Sequence, residues 1–374
     1  MMKIAIEAQR IFRPHKHGMD FVVLETIREL QRMDHDNQYY ILVSPGEDRC
    51  LQETDNFHIV EVNTPSYPLW EQVGLPRALK HIHPDLLHCT SNTAPLRCNV
   101  PLVLTLHDII FLEKRDSSNK SLYQNLGWYY RRFDVPRILP KCTKVITVSD
   151  FERQNILEKT GLSADKIVTI HNGYSDYFHQ IENCRKAVNR YVPEGKKYFF
   201  FLGNTDPRKN TKRVLKAFTI YVQRTEHPAI LLITGLKREI VDEYLKEEGI
   251  ESIAPYIQIS GYIDTDDMAA IYNGAEIFLY PSLREGFGIP VLEAMACGTP
   301  VITSNISSIP EIAGEGAILV NPYDEEEIAA QLLKIETDAD YRQAQIAYGL
   351  ERVKQFSWEQ TARRVLEIYR QVVK

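Results

Sequence analysis

The chain has 374 residues, 44% of them hydrophobic and 25% charged, a composition typical of a globular protein with room for two domains. Its formal net charge of −6 gives no reason to expect a nucleic-acid partner, and no apolar run reaches the roughly eighteen residues of a membrane span. The 6 cysteines form no C-x-x-C pair, and the N-terminus lacks the apolar core of a signal peptide. We therefore expect a cytoplasmic protein with reduced thiols.

The N-terminal half alternates short apolar runs with helical patterns. The helical patterns begin at Asp20, which we predict to be the N-cap of the first helix, and then cover residues 70–82, 121–139 and 150–159. Strand-like runs lie between them at residues 3–8, 39–44, 57–62, 85–91, 102–106, 144–149 and 168–171. This alternation predicts a mainly parallel sheet with helices on both faces.

A polar interval at residues 174–196 interrupts the alternation and is predicted to link two domains. Beyond it, strand-like runs separated by helical patterns lie at residues 198–202, 230–234, 257–260, 275–280, 300–304 and 317–320. We predict an α/β protein with two doubly wound domains, residues 1–180 and 181–356, facing each other across a ligand cleft at the carboxyl ends of their strands.

The most informative stretch is residues 280–305, which read YPSLREGFGIPVLEAMACGTPVITSN. Pro290 suits the first position of a helix, and Gly298 suits the left-handed residue just past its end. The stretch therefore predicts a short helix over 290–297. Because backbone amides at a helix start have no intrahelical partner, this start is a candidate anion site. The residues that lead into it are Gly286, Phe287, Gly288 and Ile289.

Two carboxylates accompany this helix start. Glu285 lies just before the helix, and Glu293 lies about one turn inside it. Both can face a ligand at the helix start while they contact different parts of it. An anionic ligand whose hydroxyl groups are held by carboxylates fits the chemistry of a nucleotide sugar.

Three other loops carry candidate site residues. Arg208 and Lys209 follow a predicted strand, where positive charge can hold a diphosphate; the alternative is a solvated basic pair. His107 also ends a strand-like run and can hydrogen-bond a sugar hydroxyl or the reacting centre, or be an ordinary loop histidine. Gly18, after the first strand, allows the backbone to approach a phosphate or an acceptor, or serves a turn.

The segment 114–144 interleaves basic and aromatic residues on a helical pattern. Such a pattern favours a helix with a solvated basic face and buried aromatic residues, and contact with an anionic membrane surface is the alternative. The acidic match at 264–266 is interpreted as the start of a helix and not as a metal site. We therefore predict no metal.

Over essentially its whole length the chain resembles the retaining GT-B glycosyltransferases of glycosyltransferase family four, also called group 1. The most specific matches are E-G-F-G-I-P-V-L-E from Glu285, A-M-A-C-G-T-P-V-I from Ala294 and P-R-K-N from Pro207. The segment S-S-I-P-E-I-A-G from Ser307 is most similar to bacterial mannosyltransferases. One departure is the loop after the first strand, where the family often carries a Gly-Gly or Gly-Ile-Gly type sequence and this chain has His-Gly-Met-Asp around Gly18.

The resemblance implies two Rossmann-like domains across a cleft, with a C-terminal helix at 357–374 that crosses back onto the N-terminal domain. It also implies roles for several residues of this chain. These are Glu285 at the transferred sugar, Glu293 at the nucleotide ribose, Arg208 and Lys209 at the diphosphate, His107 at the sugar and Tyr262 at the base.

The expected reaction is the retaining transfer of a hexose from a nucleoside diphosphate sugar to a glycan or lipid-linked acceptor hydroxyl, without a metal or other cofactor. Mannose from guanosine diphosphate (GDP) is the favoured donor, followed by a hexose from uridine diphosphate (UDP). Same-face attack is the family's usual mechanism, and double displacement through Glu285 stays open. The rival functions are a sugar-nucleotide epimerase or phosphorylase and a non-catalytic nucleotide-sugar-binding protein. The segment 114–144 is a candidate contact with the inner face of the cytoplasmic membrane.

Overall fold

The computed structural model describes residues 1–113 and 122–373. The predictions that fall on residues 114–121 therefore lie outside the described residues. The chain divides into two compact units: one combines Met1–Gly173 with the segment that begins at Ser357, and the other is Tyr174–Phe356. Throughout the described chain, no helix is both long enough and apolar enough to cross a membrane.

The first unit is an α/β layer structure. Its strands are β1 (Lys3–Glu7), β2 (Gln38–Val43), β3 (Phe57–Glu61), β4 (Leu86–Cys89), β5 (Leu102–Thr105), β6 (Lys144–Thr147) and β7 (Ile167–Thr169). Its helices before the second unit are α1 (Gly18–Met33), α2 (Tyr67–Leu69), α3 (Leu75–Ile82), α4 (Leu122–Ile138) and α5 (Asp150–Thr160), with 3₁₀ turns at Ile110–Leu112 and Leu139–Lys141. The strands pair in parallel in the order β3-β2-β1-β4-β5-β6-β7. The strand order reverses between β1 and β4, which makes the loops after these strands the expected ligand edge of this unit.

Helix α1 starts two residues earlier than predicted, and Asp20 is not its N-cap. The N-cap is His17, and Asp20 lies in the first turn, where its Oδ2 accepts a hydrogen bond from the His17 amide at 2.9 Å. The buried Asp20 carboxylate also lies 2.9 Å from Arg10 Nε. Asp20 is the third residue after the N-cap, and its bond to the His17 amide is that of a capping box. Its charge also complements the helix dipole.

The helix predicted over residues 70–82 is interrupted. A five-residue π-helical turn, Trp70–Gly74, lies between α2 and α3. Apolar spacing continues through this turn, so the sequence pattern does not reveal the change in backbone hydrogen bonding. Turns of this kind are uncommon and occur mostly as single turns inside α-helices.

A buried carboxylate cluster surrounds this π-helical turn. Glu71 is 0% exposed and accepts hydrogen bonds from the hydroxyl groups of Tyr67 at 2.8 Å, Thr93 and Tyr130. Burial raises the pKa of Glu71. Burial, and secondarily the charge of Glu71, raises the pKa of Asp134 to about 7. The cluster joins α4 to the π-helical turn and to the loop after β4.

The second unit repeats the same architecture. Its strands are β8 (Tyr198–Leu202), β9 (Ile230–Thr234), β10 (Ile257–Gly261), β11 (Ile277–Tyr280), β12 (Val301–Ser304) and β13 (Ile318–Val320). Its helices are α6 (Arg185–Val188), α7 (Thr211–Arg224), α8 (Arg238–Glu248), α9 (Thr265–Gly274), α10 (Ile289–Ala296), α11 (Ile309–Ala313), α12 (Glu325–Thr337) and α13 (Ala339–Val353), with 3₁₀ turns at Pro207–Lys209, Glu251–Tyr256 and Gly314–Gly316. The strands are parallel in the order β10-β9-β8-β11-β12-β13, so the order reverses between β8 and β11. The predicted α/β class with two Rossmann-like sheets is confirmed.

The polar interval 174–196 packs on the second unit and is not a separate linker. The backbone amide of Ile181 donates to Asn273 Oδ1 at 2.7 Å, and the Tyr191 hydroxyl donates to Asp267 Oδ2 at 2.8 Å. A polar composition predicted a linker here, but these polar groups form hydrogen bonds at the surface of the unit.

The last helix, α14 (Trp358–Val372), belongs to the first unit. Its apolar residues, including Val365 and Leu366, join the core that also contains α1. The hydroxyl of Tyr369 lies 2.6 Å from Nδ1 of His88 on β4, and Thr361 Oγ1 donates to the carbonyl of His171 at 2.7 Å. Burial lowers the pKa of His88 to about 3, so its ring is neutral in this contact.

Candidate active site

The candidate site of the second unit lies at the carboxyl ends of β8 and β11, where the strand order reverses. The loop after β8 forms the 3₁₀ turn, and Asn210 then takes a left-handed conformation with φ of 62°. Asn210 Nδ2 donates to the carbonyl of Pro281 at 3.0 Å, and the amide of Leu283 donates to the carbonyl of Arg208 at 2.7 Å. These bonds hold the two loops together at the sheet edge where doubly wound folds bind ligands.

Lys209 and Glu285 form an ion pair between these loops. Lys209 Nζ lies 2.6 Å from Glu285 Oε1 and 2.9 Å from the hydroxyl of Tyr280 at the end of β11. Burial disfavours the lysine charge, but Tyr280 and Glu285 more than offset it, and the pKa of Lys209 is raised above its ordinary value. Lys209 is therefore a fixed positive charge at the site.

Arg208 is oriented differently from its neighbour. Its Nη2 lies 2.7 Å from Asp206 Oδ2, and its Nε donates to Asp206 Oδ1 at 3.0 Å. This two-point pairing is the geometry in which guanidinium and carboxylate groups bind best. The predicted basic pair is thus divided: Lys209 contacts Glu285, and Arg208 contacts Asp206 in its own loop.

The loop from Glu285 to Gly288 leads into α10. The helix begins at Ile289 and ends at Ala296, one residue earlier at each end than predicted, and Gly298 has the expected left-handed φ of 73°. Gly288, the N-cap, has a φ of 109°, and a Cβ added there would lie 2.7 Å from Ile309 Cδ1. Both the backbone conformation and the close packing therefore require glycine at this position.

The other residues of this loop are held by the segment that follows β12. Ser308 Oγ, which is buried, bonds to the carbonyl of Phe287 at 3.2 Å. Phe287 is itself buried, and its ring lies 6.0 Å from the ring of Phe356. Gly286 therefore lies between two residues, Glu285 and Phe287, that are bound to other parts of the unit.

Glu293 lies on α10 and is partly buried. Its Oε2 accepts a hydrogen bond from the hydroxyl of Tyr272 on α9 at 3.2 Å. Burial raises the pKa of Glu293 to about 7, although the hydrogen bond from Tyr272 opposes the shift. Glu293 is therefore close to half-ionised at neutral pH.

Tyr262 follows β10 and is 72% exposed. This exposed ring can stack on a planar group that approaches the sheet edge. The role of Tyr262 at the base stays a prediction.

The predicted residues of the first unit are Gly18 and His107. Gly18 is the first residue of α1, and an added Cβ would meet nothing within 4 Å. His107 is buried; its amide donates to Asn92 Oδ1 at 2.7 Å and its Nε2 lies 2.9 Å from the carbonyl of Thr90. Burial lowers the pKa of His107, which favours the neutral ring. Because a carbonyl can only accept, Nε2 carries the proton and Nδ1 is a hydrogen-bond acceptor.

Sequence reasoning missed three residues that contact the predicted site. Tyr280 was interpreted only as the end of a strand, Tyr272 lies in the helix predicted to start at 264–266 but was assigned no role, and Ser307 was noted only as part of a family segment. The hydroxyls of Tyr280 and Ser307 contact Lys209 and Glu285, respectively. The one signal in the sequence was the position of Tyr280 at the end of a predicted strand, because doubly wound folds bind ligands at the carboxyl ends of their strands.

Within the part of the chain that is described, no three His, Cys, Asp or Glu side chains are grouped so that they could hold a metal ion. The charged groups at the site include the Lys209–Glu285 pair, Arg208 with Asp206, and the carboxyl of Glu293.

Comparison with known proteins gives matches over both units. Residues 17–176 match the family described as Glycosyltransferase Family 4, and residues 185–352 match the Glycosyl transferases group 1. The chain is 32% identical over 272 residues to the O-antigen chain mannosyltransferase B of Escherichia coli, covering 72% of this chain and 70% of that protein. It is 26% identical over 313 residues to the serotype-specific mannosyltransferase WbdA of the same species, covering 78% of this chain and 37% of that longer protein.

The fold is also shared with solved structures. The crystal structure of HepE from Anabaena in complex with UDP and glucose superposes with a TM-score of 0.74 at 17% sequence identity, covering 99% of each chain. At this level of identity the likeness concerns the fold alone.

Proposed function

Because the chain belongs to the group 1 glycosyltransferases, has their GT-B fold and is most like bacterial mannosyltransferases, we propose that it transfers a hexose from a nucleoside diphosphate sugar to a glycan or lipid-linked acceptor hydroxyl with retention. The observation that carries the proposal is the Lys209–Glu285 pair at the strand-order reversal of the second unit. A fixed cation beside a carboxylate offers one group to the diphosphate and one to the sugar hydroxyls.

Lys209 acts on the leaving group. As the bond between the anomeric carbon and the phosphate oxygen breaks, negative charge accumulates on the diphosphate, and the raised pKa of Lys209 keeps a positive charge there. The positive end of the α10 dipole, at Gly288 and Ile289, adds to this stabilisation. Arg208 contributes a second positive charge when the diphosphate competes with Asp206 for its guanidinium group. The proposed reaction uses these groups and no metal.

Glu285 orients the sugar. Its carboxylate already accepts a hydrogen bond from Lys209, which lowers its nucleophilicity and favours same-face attack over double displacement. In same-face attack the acceptor oxygen bonds to the anomeric carbon on the side that the diphosphate leaves, and the acceptor proton passes to the departing phosphate oxygen. His107, with Nδ1 as an acceptor, receives a hydrogen bond from a sugar hydroxyl.

The remaining contacts bind the nucleotide. Glu293 accepts hydrogen bonds from the ribose hydroxyls in its ionised form, and Tyr262 contacts the base. Gly18, which has open space around it, permits the backbone of the first unit to approach phosphate or acceptor.

GDP-mannose is the favoured donor because the similar proteins are named mannosyltransferases. A UDP-hexose is the second candidate donor. The test is to incubate the purified chain with GDP-mannose, UDP-glucose and UDP-galactose, with and without lipid-linked and soluble glycan acceptors, and to measure nucleoside diphosphate release. Acceptor-dependent release with one donor supports the proposal, and the absence of acceptor-dependent release with every donor contradicts it.

We also propose that α4 contacts an anionic membrane surface. Three large apolar side chains recur on one exposed face of the helix, Leu126, Tyr129 and Phe133, with exposed fractions of 69%, 63% and 50%. Arg132 lies over the ring of Trp128 at 4.6 Å, so basic and apolar groups share the surface. Exposed aromatic and aliphatic residues flanked by arginine are typical of helices that bind acidic lipids.

This second proposal is tested by sedimentation with vesicles of phosphatidylglycerol and phosphatidylcholine. Replacing Arg131 and Arg132 by glutamate should reduce the bound fraction severalfold, because each basic residue near an anionic surface contributes on the order of 1 kcal/mol. The matched control replaces Arg363 and Arg364, an exposed pair on α14, by glutamate. Equal binding by the two double variants and the wild type refutes the membrane contact.

A further inference from the structure

Ser307, in the loop between β12 and α11, has a left-handed backbone with φ of 65°. Among the described residues, the other non-glycine residues with positive φ are His83, Asn92 and Asn210. Asparagine and histidine are enriched in this conformation, whereas serine has no such preference. The left-handed region is strained for an ordinary residue, and glycine avoids that strain. A serine in such a conformation beside a candidate active site indicates a function for its side chain.

The hydroxyl of Ser307 bonds to both peptide groups of Glu285. The amide of Glu285 donates to Ser307 Oγ at 2.9 Å, and Ser307 Oγ donates to the carbonyl of Glu285 at 2.7 Å. A hydroxyl is a donor and an acceptor at one atom, so serine makes both bonds where alanine or glycine makes neither. Glu285 lies outside regular secondary structure, between β11 and α10. Its backbone is therefore fixed by a side chain and not by a strand or helix.

Neighbouring groups reinforce this contact. Ser308 Oγ bonds to the carbonyl of Glu285 at 3.0 Å, and Arg284 Nη1 donates to the same carbonyl at 2.9 Å. The carboxylate of Glu285 is held on the other side by Lys209. Glu285 is thus bound at its backbone by the loop after β12 and at its side chain by the loop after β8.

We propose that Ser307 is a positioning residue that fixes Glu285 where its carboxylate meets the transferred sugar. The inference rests on the proposed function, because it assumes that Glu285 contacts the sugar of the donor. It assigns Ser307 a role in binding the sugar portion of the donor and no role in binding the nucleotide. If Ser307 only stabilised the loop, replacing it would weaken the binding of both the sugar and the nucleotide portion of the donor, or of neither.

The test compares Ser307→Gly with Ser307→Ala. Glycine removes the hydroxyl but relieves the backbone strain, whereas alanine removes the hydroxyl and keeps the strain, so Ser307→Gly should melt at a higher temperature than Ser307→Ala. Binding is measured by calorimetry with GDP-mannose against GDP and with UDP-glucose against UDP. For the pair that binds, both variants should lose about tenfold in affinity for the nucleotide sugar, which corresponds to the loss of roughly one to two hydrogen bonds. Affinity for the nucleoside diphosphate should not change.

A matched control is His83→Gly, which relieves a left-handed residue at the end of α3 in the first unit. It should change the melting temperature and leave both affinities unchanged. Wild-type affinity of Ser307→Gly for the nucleotide sugar overturns the inference and leaves the role of Glu285 intact.

The double variant of Ser307→Gly with Glu285→Gln tests whether Ser307 acts through Glu285, and Glu285→Gln alone tests the proposed role of Glu285. If Ser307 acts through Glu285, the double variant should lose no more sugar affinity than Glu285→Gln alone. Fully additive losses overturn the connection between the two residues. Wild-type sugar affinity in Glu285→Gln alone contradicts the proposed function itself.

Discussion

Replacing Lys209 by alanine removes the positive charge between the loops after β8 and β11. At 2.6 Å from Glu285, this charge has a gross attraction of roughly 6 kcal/mol at an effective dielectric constant of about 20. Desolvation and the partial exposure of both side chains, 29% for Lys209 and 14% for Glu285, offset most of this energy. We expect the free energy of unfolding to fall by about 1–2 kcal/mol, which leaves a protein of ordinary stability folded.

The effect of the same change on turnover should be larger than its effect on stability. In the transition state the diphosphate carries more negative charge than in the bound donor, and loss of one donor aimed at such charge commonly costs on the order of 3 kcal/mol. Lys209→Ala should therefore lower kcat about a hundredfold or more. The assay is single-turnover release of nucleoside diphosphate, with thermal denaturation measured on the same preparation.

The matched control for Lys209→Ala is Lys212→Ala. Lys212 lies one turn further along the chain, on α7, and pairs with Glu247 and Glu248 at the surface. Its replacement should leave kcat within about twofold of the wild type, because an exposed pair contributes little. Turnover of Lys209→Ala within threefold of the control refutes the assignment of Lys209 to the leaving diphosphate.

Tyr280→Phe removes the hydroxyl to which Lys209 donates and should lower kcat about tenfold with little change in melting temperature; unchanged kcat contradicts the contact's importance. Glu293 has a pKa of about 7 in the folded chain against an ordinary value of 4.5, so the stability it contributes is present below the lower value and is lost as pH rises through the higher one. Glu293→Gln should therefore raise the melting temperature relative to wild type at pH 8 and not at pH 5, and a gain equal at both pH values argues against the shift. Glu71→Ala should lower the free energy of unfolding in urea by about 3 kcal/mol, because it removes the shared acceptor of three hydroxyls, one of them on the buried Thr93. A loss below about 1 kcal/mol means that the cluster does not contribute substantially to stability.

The strands were the most predictable part of the chain. The runs at 198–202 and 230–234 coincide with β8 and β9, because strands buried on both faces of a parallel sheet are short, continuous apolar runs. The helix over 70–82 was predicted as continuous, and the π-helical turn within it carries the buried Glu71, whose partners Thr93 and Tyr130 are distant in sequence.

The site was predictable in its residues and less so in its contacts. Motifs placed Lys209 and Glu285 in one site, and the structure pairs them across 76 positions of sequence. The pairing of Arg208 with Asp206 and the backbone conformation of Ser307 could not be predicted, because both depend on which groups the folded loops bring within reach. The functional roles of these residues remain predictions.

The position of α14 has a consequence for synthesis of the chain on the ribosome. The sheet of the first unit is fully translated at β7, yet the apolar side of α1 lacks the helix that covers it until the whole second unit has been made. The second unit, by contrast, is one uninterrupted stretch and can fold as soon as it emerges. A nascent chain therefore has a completed second unit while Val23, Ile27 and their neighbours in the first unit still expose apolar surface, and during this interval the first unit is the part most exposed to aggregation and to chaperones.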